Sequence, residues 1–373
     1  MYFKVDKNSL HEHLLKILKV TPTRTTTPIL SCVYLSLEGN KLCLKGADVD
    51  IVMNLSMDVS GMEDGNIAIP ARLFAELIGE LESGIISLKA DYEGIVTVLT
   101  DRGKYEIMGR PGEEFPAVPN VNILYEFEID GGLLSRIIKK TIFAVARDEI
   151  KPALMGVLFQ FKNGEMRAVS TDGHKLVCLK RYDIDPGDFN GEVIVPTKFL
   201  NVVQTYLREG SKVRVGIGSE HIVLTMDSMV VYSMLINERF PDYESVIPQE
   251  NDKVLEAEVE TFLSVLKRVS ICSSKATHQI VLNLEPEGML KMKAFDEENR
   301  NSGEEEFDGS FSGDVFSISF NSEFLKELIR NVDSEKFTFE FKTQTSPALL
   351  KPLENVDNEE MIMLVMPIRM AEE

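Results

Sequence analysis

The order of apolar and polar residues repeats three times along the chain. The stretches IAIPARLFAELI, VIVPTKFLNVVQ and SISFNSEFLKELI each begin with a mainly apolar run and reach a break, at Pro70, Pro196 and Asn321. The breaks are 126 and 125 residues apart, and apolar residues follow three, four and seven positions after each of them. This spacing places the apolar residues on one face of a helix, and proline is tolerated at a helix start because its missing N–H needs no partner there. Each stretch therefore predicts a strand that runs into an amphipathic helix.

Two further series share this period. The segments FKVDKNSLHEHLLKIL, FEIDGGLLSRIIKKTI and LEAEVETFLSVLKRV each combine a short alternating strand with an amphipathic helix. A strand also ends in an acidic turn at Asp48, Asp172 and Asp296, at intervals of 124 residues. The predicted fold class is therefore α+β, in three tandem copies of one domain with two helices and many strands. Pro-rich linkers near both boundaries divide the chain into domains of residues 1–122, 123–250 and 251–373.

The charge pattern adds a candidate nucleic-acid surface. The net charge is −20, from 60 acidic and 40 basic residues, which opposes binding to a phosphate backbone. Basic residues nevertheless recur on the predicted helices of all three copies: Lys16, Lys19, Arg72, Arg136, Lys139, Lys140, Lys198, Lys267, Arg268, Lys326 and Arg330. For any single residue a solvated helical face is the simpler explanation. Domains arranged in an arc would align these helices, and together they predict one concave surface that attracts DNA. The acidic stretch 296–309 is predicted to be a solvated loop or hairpin tip.

The stretch STDGHKL, residues 170–176, belongs to the middle copy. Asp172 has counterparts in the other copies, which predicts a turn carboxylate that accepts backbone N–H bonds. Gly173, His174 and Lys175 have no counterparts, so this turn has a function specific to the middle domain. The C-terminal stretch MIMLVMPIRM reads first as a core strand, but Pro367 prevents simple continuation of that strand inside a sheet. Flexible methionines beside one arginine favour a groove for short peptides; a plain strand end or a disordered tail stays open as the alternative.

Other classes of function lack support in the sequence. The four cysteines are scattered without a CxxC pair, which predicts reduced, buried thiols in a cytoplasmic protein. The five histidines have no metal-ligand spacing, and there is no nucleophile elbow, phosphate-binding loop or dinucleotide fingerprint. No apolar run is long enough to span a bilayer, and the first residues do not form a secretory signal. The sequence therefore predicts no enzyme, cofactor, metal or membrane association.

These features together resemble the bacterial DNA polymerase III beta subunit family, the sliding clamps. The motifs that carry the resemblance are TDGHKL, RFPDY and the MPIR ending, and it covers essentially the whole chain. It implies three processivity-clamp domains per subunit and a head-to-tail homodimer that closes as a six-domain ring around duplex DNA. It implies no catalytic activity, sequence-independent contact with DNA, a clamp loader that opens and closes the ring, and a tethered replicative polymerase with other clamp-motif partners. A ring needs only weak attraction to DNA, which accommodates the negative net charge.

The resemblance also implies site residues. A pocket between the second and third domains, for short linear motifs of partner proteins, would comprise Leu154, Thr171, Gly173, His174, Lys175, Leu176, Pro241, Val246, Ser346, Leu364, Val365, Met366, Pro367, Ile368 and Arg369. Arg24 matches a position that contacts DNA. The dimer contact would join Tyr105 and Ile107, on the strand KYEIM of one subunit, to Ile271 and Cys272 at the end of the fifth helix of the other. Two edge strands would pair across the subunits, with Arg102 and Lys104 facing Glu304, Glu305 or Glu306.

The chain departs from the family pattern at several positions. Lys175 stands where relatives often have Arg, and Ser245 where some have a basic residue. Asp148, Pro152 and Ala153 stand where some relatives carry residues that contact DNA, and they cannot make those contacts. Two other hypotheses remain: a repeat scaffold that binds proteins without enclosing DNA, and a hydrolase that uses Asp172 and His174.

Overall fold

A computed structural model describes residues 1–148, 150–286 and 288–369. The first repeat contains β1 (Tyr2–Asp6), α1 (Lys7–Ile17), β2 (Cys32–Glu38), β3 (Lys41–Ala47), β4 (Ile51–Asp58), β5 (Ser60–Glu63), β6 (Gly65–Pro70), α2 (Ala71–Glu80), β7 (Ile85–Ala90), β8 (Ile95–Leu99) and β9 (Lys104–Met108). The second contains β10 (Ile123–Asp130), α3 (Gly131–Thr141), β11 (Gly156–Lys162), β12 (Glu165–Thr171), β13 (Lys175–Arg181), β14 (Gly191–Pro196), α4 (Thr197–Gln204), β15 (Lys212–Gly218), β16 (His221–Met226) and β17 (Met229–Met234). The third contains β18 (Lys253–Glu258), α5 (Val259–Val269), β19 (Gln279–Leu284), β20 (Leu290–Asp296), β21 (Asn301–Phe307), β22 (Ser310–Ser312), β23 (Phe316–Asn321), α6 (Ser322–Ile329), β24 (Lys336–Phe341), β25 (Ala348–Pro352) and β26 (Glu359–Val365).

The two predicted helices of each repeat occur where the apolar pattern placed them. The breaks at Pro70 and Pro196 end a strand directly before α2 and α4. Asn321 has the same place before α6, where its side chain accepts hydrogen bonds from the backbone N–H groups of Glu323 and Phe324. That contact satisfies donors that a helix start leaves without an intrahelical partner. The break in the third stretch is thus an N-cap.

The strands form four antiparallel sheets in two compact units. One unit consists of Met1–Leu134 and Lys198–Leu235, and contains the five-stranded sheet β5-β1-β7-β8-β9 and the eight-stranded sheet β10-β15-β16-β17-β4-β3-β2-β6. The other consists of Ser135–Thr197 and the chain from Ile236 onward, and contains the nine-stranded sheet β14-β11-β12-β13-β26-β25-β24-β18-β22 and the four-stranded sheet β21-β20-β19-β23. The strands of the middle repeat are therefore shared between the units, and the domain boundaries at residues 122 and 250 stay a prediction.

The second unit has an aromatic core in its third-repeat part. The ring centroid of Phe262 on α5 lies 5.2 Å from that of Phe307 and 5.2 Å from that of Phe337, both in edge-to-face geometry. Phe339 and Phe341 alternate on β24 with their centroids 4.5 Å apart and are fully buried. Such aromatic pairs contribute about 0.5–1.5 kcal/mol beyond their buried area. The alternating pattern of β24 thus supplies one face of this core.

Two sequence expectations are corrected by the strands. Residues 297–300 of the acidic stretch 296–309 form the predicted hairpin tip, but residues 301–307 are the edge strand β21, whose backbone pairs with β20. Glu304 and Glu305 on this strand pair with Lys293 and Arg268. The expectation of four buried thiols is wrong for Cys43, which is exposed because it alternates outward on β3. Cys272 is half-buried, whereas Cys32 and Cys178 are buried.

The cysteines should react in order of exposure. Burial raises the pKa of the Cys178 thiol to about 12, so both access and thiolate fraction are low there. We expect iodoacetamide to modify Cys43 in the folded protein at about pH 8 and to leave Cys178 unmodified until urea is added. Peptide mass spectrometry measures both, and Cys43→Ser should remove the rapid modification. Native labelling of Cys178 as fast as that of Cys43 would contradict the buried position.

No helix among the described residues combines the length and the apolar character that a bilayer crossing requires. Within the same residues, no group of three or more His, Cys, Asp or Glu side chains could hold a metal ion.

Candidate functional site

The STDGHKL stretch forms the tight turn between β12 and β13. Asp172 Oδ1 accepts hydrogen bonds from the backbone N–H groups of His174 at 2.8 Å and Lys175 at 2.9 Å. Thr171 Oγ1 donates to the carbonyl of Lys175 at 2.7 Å. Gly173 has a φ of +91°, a conformation that favours glycine. The prediction of Asp172 as a turn carboxylate is confirmed, and its described bonds go to the turn and to the Lys175 ammonium, not to the His174 ring that a hydrolase would use.

An apolar floor adjoins this turn. Leu176 on β13 pairs with Leu364 on β26, which in turn pairs with Leu349 on β25. These three side chains are buried in one cluster with Leu154 and Phe240. The floor thus combines strands of the second and third repeats inside one compact unit. The β13–β26 pairing, which joins residues far apart in sequence, brings the middle-repeat turn beside the C-terminal strand.

The chain continues past β26 as an ordered tail, residues 366–369. The N–H of Met366 donates to the carbonyl of His174 at 2.8 Å. Two hydrogen bonds join Ile368 to Ser319 on β23. The Ile368 N–H donates to the Ser319 carbonyl at 2.8 Å, and Ser319 Oγ donates to the Ile368 carbonyl at 2.7 Å. The predicted tail therefore lies against the turn at one end and against β23 at the other, and Arg369 is exposed. Met370 lies outside the described residues.

The remaining predicted pocket residues lie on two loops and at the end of β26. Pro241 and Val246 are exposed on the loop that follows β17, above the buried Phe240 and Tyr243. Ser346 caps the loop between β24 and β25 by accepting a hydrogen bond from the N–H of Thr343 at 2.9 Å. Val365 is buried opposite Lys175.

Lys175 is not a free cation at the surface of the turn. Only 7% of its side chain is exposed, and its Nζ lies 2.8 Å from Asp172 Oδ2 and 3.0 Å from Glu327 Oε2. The ammonium also lies 4.6 Å from the centre of the Phe324 ring, a cation–π distance. The carboxylates of Asp172 and Glu327 and the face of the Phe324 ring thus surround the Lys175 ammonium.

Two residues of α6 that support the turn were missed by the sequence analysis. The Phe324 ring stacks on the His174 ring with centroids 5.9 Å apart, although the helical period assigned Phe324 to the core face. Glu327, one turn further on, pairs with Lys175. Nothing in the local sequence could have identified these contacts, because their partners are about 150 residues away.

The basic residues predicted to face DNA differ in exposure. Those that are exposed are the loop residue Arg24 and the residues Lys19, Arg72, Lys139, Lys198, Lys267, Arg268 and Arg330. Lys16 and Lys326 are partly buried and pair with Glu12 and Glu323 on their own helices. Among the exposed cations, Arg268 pairs with Glu305 and Lys198 with Asp48.

Arg136 and Lys140 belong to an ion network with Glu359 and Asp333 and are not the free surface cations that the helical pattern suggested. Arg136 is partly buried and Lys140 is buried, and their contact with DNA stays a prediction. The Arg136 guanidinium donates to both oxygens of Glu359, at 2.8 and 2.7 Å. Lys140, with 7% of its side chain exposed, lies 2.6 Å from Asp333. The hydrogen bonds to Glu359 outweigh burial and, with those to Asp333, raise the pKa of Arg136 above its ordinary value. Burial alone would raise the pKa of Asp333, but the bonds from Lys140 and Arg136 lower it overall. Arg181 donates to the same Glu359 at 3.1 Å.

The predicted dimer residues lie on strands at sheet edges or beside them. β9 is an edge of the five-stranded sheet, and β21 is an edge of the four-stranded sheet. Tyr105 is 40% exposed and Ile271 is 80% exposed, as contact residues would be in a free subunit. Ile107 is 7% exposed and faces its own core, so its side chain cannot serve as an exposed contact. Cys272 is half-buried against β21.

Comparisons with known proteins agree along the whole chain. Models of the DNA polymerase III beta subunit match in chain order: the N-terminal domain at residues 1–119, the central domain at 128–242 and the C-terminal domain at 244–369. The beta sliding clamp of Pseudomonas aeruginosa is 29% identical, over 99% of this chain and 100% of that protein. That of Halalkalibacterium halodurans is 25% identical, over 99% and 100%.

Solved structures give the same result. The crystal structure of the DNA polymerase III subunit beta from Pseudomonas aeruginosa is 28% identical, with a TM-score of 0.94 over 99% of this chain and all of that one. The beta sliding clamp of C. crescentus is 25% identical, with a TM-score of 0.94 over 99% and 100%. The predicted α+β fold of three clamp domains is confirmed. The chain belongs to the bacterial DNA polymerase III beta subunit family, the beta sliding clamps, which are non-catalytic processivity factors of replication.

Proposed function

We propose that this protein closes as a head-to-tail homodimeric ring around duplex DNA, slides along it, and tethers the replicative polymerase through the pocket on its second unit. The observation that carries the tethering is the apolar floor of Leu176, Leu364 and Leu349, bounded by the middle-repeat turn and the ordered tail. A short peptide with large apolar side chains would pack beside the turn and the tail, next to this buried cluster. A C. crescentus clamp that resembles this chain is described with polyethylene glycol bound to a putative beta-motif tethering region.

The subunit contact would join β9 of one subunit to β21 of the other. Both strands are sheet edges, whose outward backbone groups are suited to pairing with another chain. Strand β9 begins at Lys104, and Arg102 lies two residues before it. Strand β21 carries Glu304, Glu305 and Glu306. Opposite charges on the two edges favour the head-to-tail pairing over two like edges meeting. Tyr105 and Ile271 would add apolar contact.

The exposed cations of the helices and Arg24 would face the DNA. Their attraction is opposed by the net charge of −20, so the ring would hold DNA by enclosing it and not by tight binding. Weak contacts with phosphates carry no sequence information, which permits sliding. Such a ring requires a clamp loader to open it, and it would act in the cytoplasm.

Retention on DNA tests this proposal. The protein would be loaded onto nicked circular DNA by a compatible clamp loader, isolated, washed at high salt, and released by a single cut in the circle. We expect retention on the closed circle at high salt and loss after cutting, because a free end lets a ring slide off. A loader-matched clamp from a relative is the control for loading. Loss from the intact circle as salt rises would indicate electrostatic binding alone and favour a protein-binding repeat scaffold.

A further inference from the structure

Helix α6 presents two side chains to the STDGHKL turn. Phe324 and Glu327 are three residues apart and so lie on one face of the helix. The Phe324 ring stacks on the ring of His174, and Glu327 Oε2 lies 3.0 Å from the Lys175 ammonium. The Glu327 oxygen is buried, and among the residues that the structure describes no aligned hydrogen-bond donor reaches it. Its described polar contact is therefore the ion pair with Lys175.

The position of Lys175 is coupled to the wall of the pocket by backbone bonds. The Lys175 carbonyl accepts from Thr171 Oγ1, and the neighbouring His174 carbonyl accepts from the N–H of Met366 in the tail. A lysine ammonium has three donors and loses much of its hydration when 7% exposed. Without Glu327, the ammonium would keep Asp172 as a partner and seek water for its remaining donors. Such a shift of Lys175 would move the His174–Met366 contact.

We propose that Glu327 is a positioning residue for the peptide pocket. It holds Lys175, and through Lys175 it sets the distance between the turn and the tail, without contacting the bound peptide itself. This inference rests on the proposed tethering function of the same pocket.

The test is peptide affinity of Glu327→Gln, measured by fluorescence anisotropy. The probe is a fluorescein-labelled synthetic peptide copied from the clamp-binding segment of the replicative polymerase. We expect the Kd to rise about five- to tenfold, the range for loss of one coupled contact. The unfolding midpoint should fall only slightly, because Lys175 keeps Asp172 as a partner and the Glu327 side chain is 34% exposed. Glu327→Asp, which keeps the charge, should recover part of the affinity. Glu323→Gln is the matched control, because Glu323 also pairs with a lysine on α6, at 2.8 Å, but is 53% exposed; its Kd should stay within about twofold.

A double-mutant cycle separates positioning from a general loss of structure. In a Lys175→Met background, Glu327→Gln should have no further effect on Kd, because the residue acts through Lys175. An unchanged Kd for Glu327→Gln would overturn the inference, as would an effect that persists in full in the Lys175→Met background. A lower unfolding midpoint with normal affinity in the folded fraction would show a purely structural role and overturn it equally. Failure of the unaltered protein to bind the peptide would instead contradict the proposed tethering function.

Discussion

Truncation after Val365 should weaken binding of a clamp-motif peptide by roughly thirtyfold or more, about 2 kcal/mol, because it removes one wall of the pocket. The truncation deletes Met366, Pro367 and Ile368, which lie between the His174 carbonyl and Ser319. Strand β26 ends at Val365 and keeps its pairing with β13 and β25, so the floor should survive. Fluorescence anisotropy with a labelled peptide measures the loss.

A second truncation provides the control. Ending the chain after Arg369 removes the last four residues and leaves the tail in place. We expect this shorter deletion to keep the affinity of the full chain and both forms to show similar far-ultraviolet circular dichroism. Equal affinity in the two truncated forms would show that the tail is not part of the peptide site.

Glu359→Gln should lower the free energy of unfolding of the second unit by about 3 kcal/mol, the usual cost of breaking a buried ion pair. The Glu359 side chain is 3% exposed and accepts hydrogen bonds from two arginines, Arg136 and Arg181. Glutamine keeps the shape but removes the charge, so two guanidinium groups lose a shared buried anion. Urea unfolding followed by circular dichroism measures the change, since the chain has no tryptophan.

The adjacent Glu360 is the matched control for this substitution. Its carboxylate pairs with Lys180 at 3.0 Å and accepts a hydrogen bond from Tyr182 at 3.0 Å, but 38% of its side chain is exposed. Exposed pairs contribute about 1 kcal/mol or less, so Glu360→Gln should shift the urea midpoint much less than Glu359→Gln. Equal shifts of the urea midpoint for the two variants would mean that the buried Glu359 stabilises the fold no more than the exposed Glu360 does.

The helical pattern predicted the exposure of some basic side chains correctly and of others wrongly. Lys19 and Arg330 were expected on a polar surface and are exposed. Lys140 and Arg136 were expected there for the same reason, yet both lie among carboxylates from another part of the chain. A helical period shows only which residues share a face. It does not show that Asp333, 193 residues from Lys140, will lie against that face.

The elements that depend on local interactions could be predicted from the sequence. Apolar residues at helical spacing, the strand breaks and the acid of the turn act over a few residues, so the helices and the Asp172 turn could be predicted from the repeats. The family resemblance supplied the pocket residues, and the structure brings the turn, the floor and the tail together in one unit.

The pairing of strand edges and the burial of charged side chains depend on long-range contacts in the folded chain. The pairing of β13 with β26, the splitting of the middle repeat between two units, and the contact of Glu327 with Lys175 join residues far apart in the sequence. Every strand offers the same backbone donors and acceptors at its edges, so local sequence does not select its partner. The pairing of strands depends on how much apolar surface the whole chain buries. The ion pairs between distant residues form as a result of that pairing.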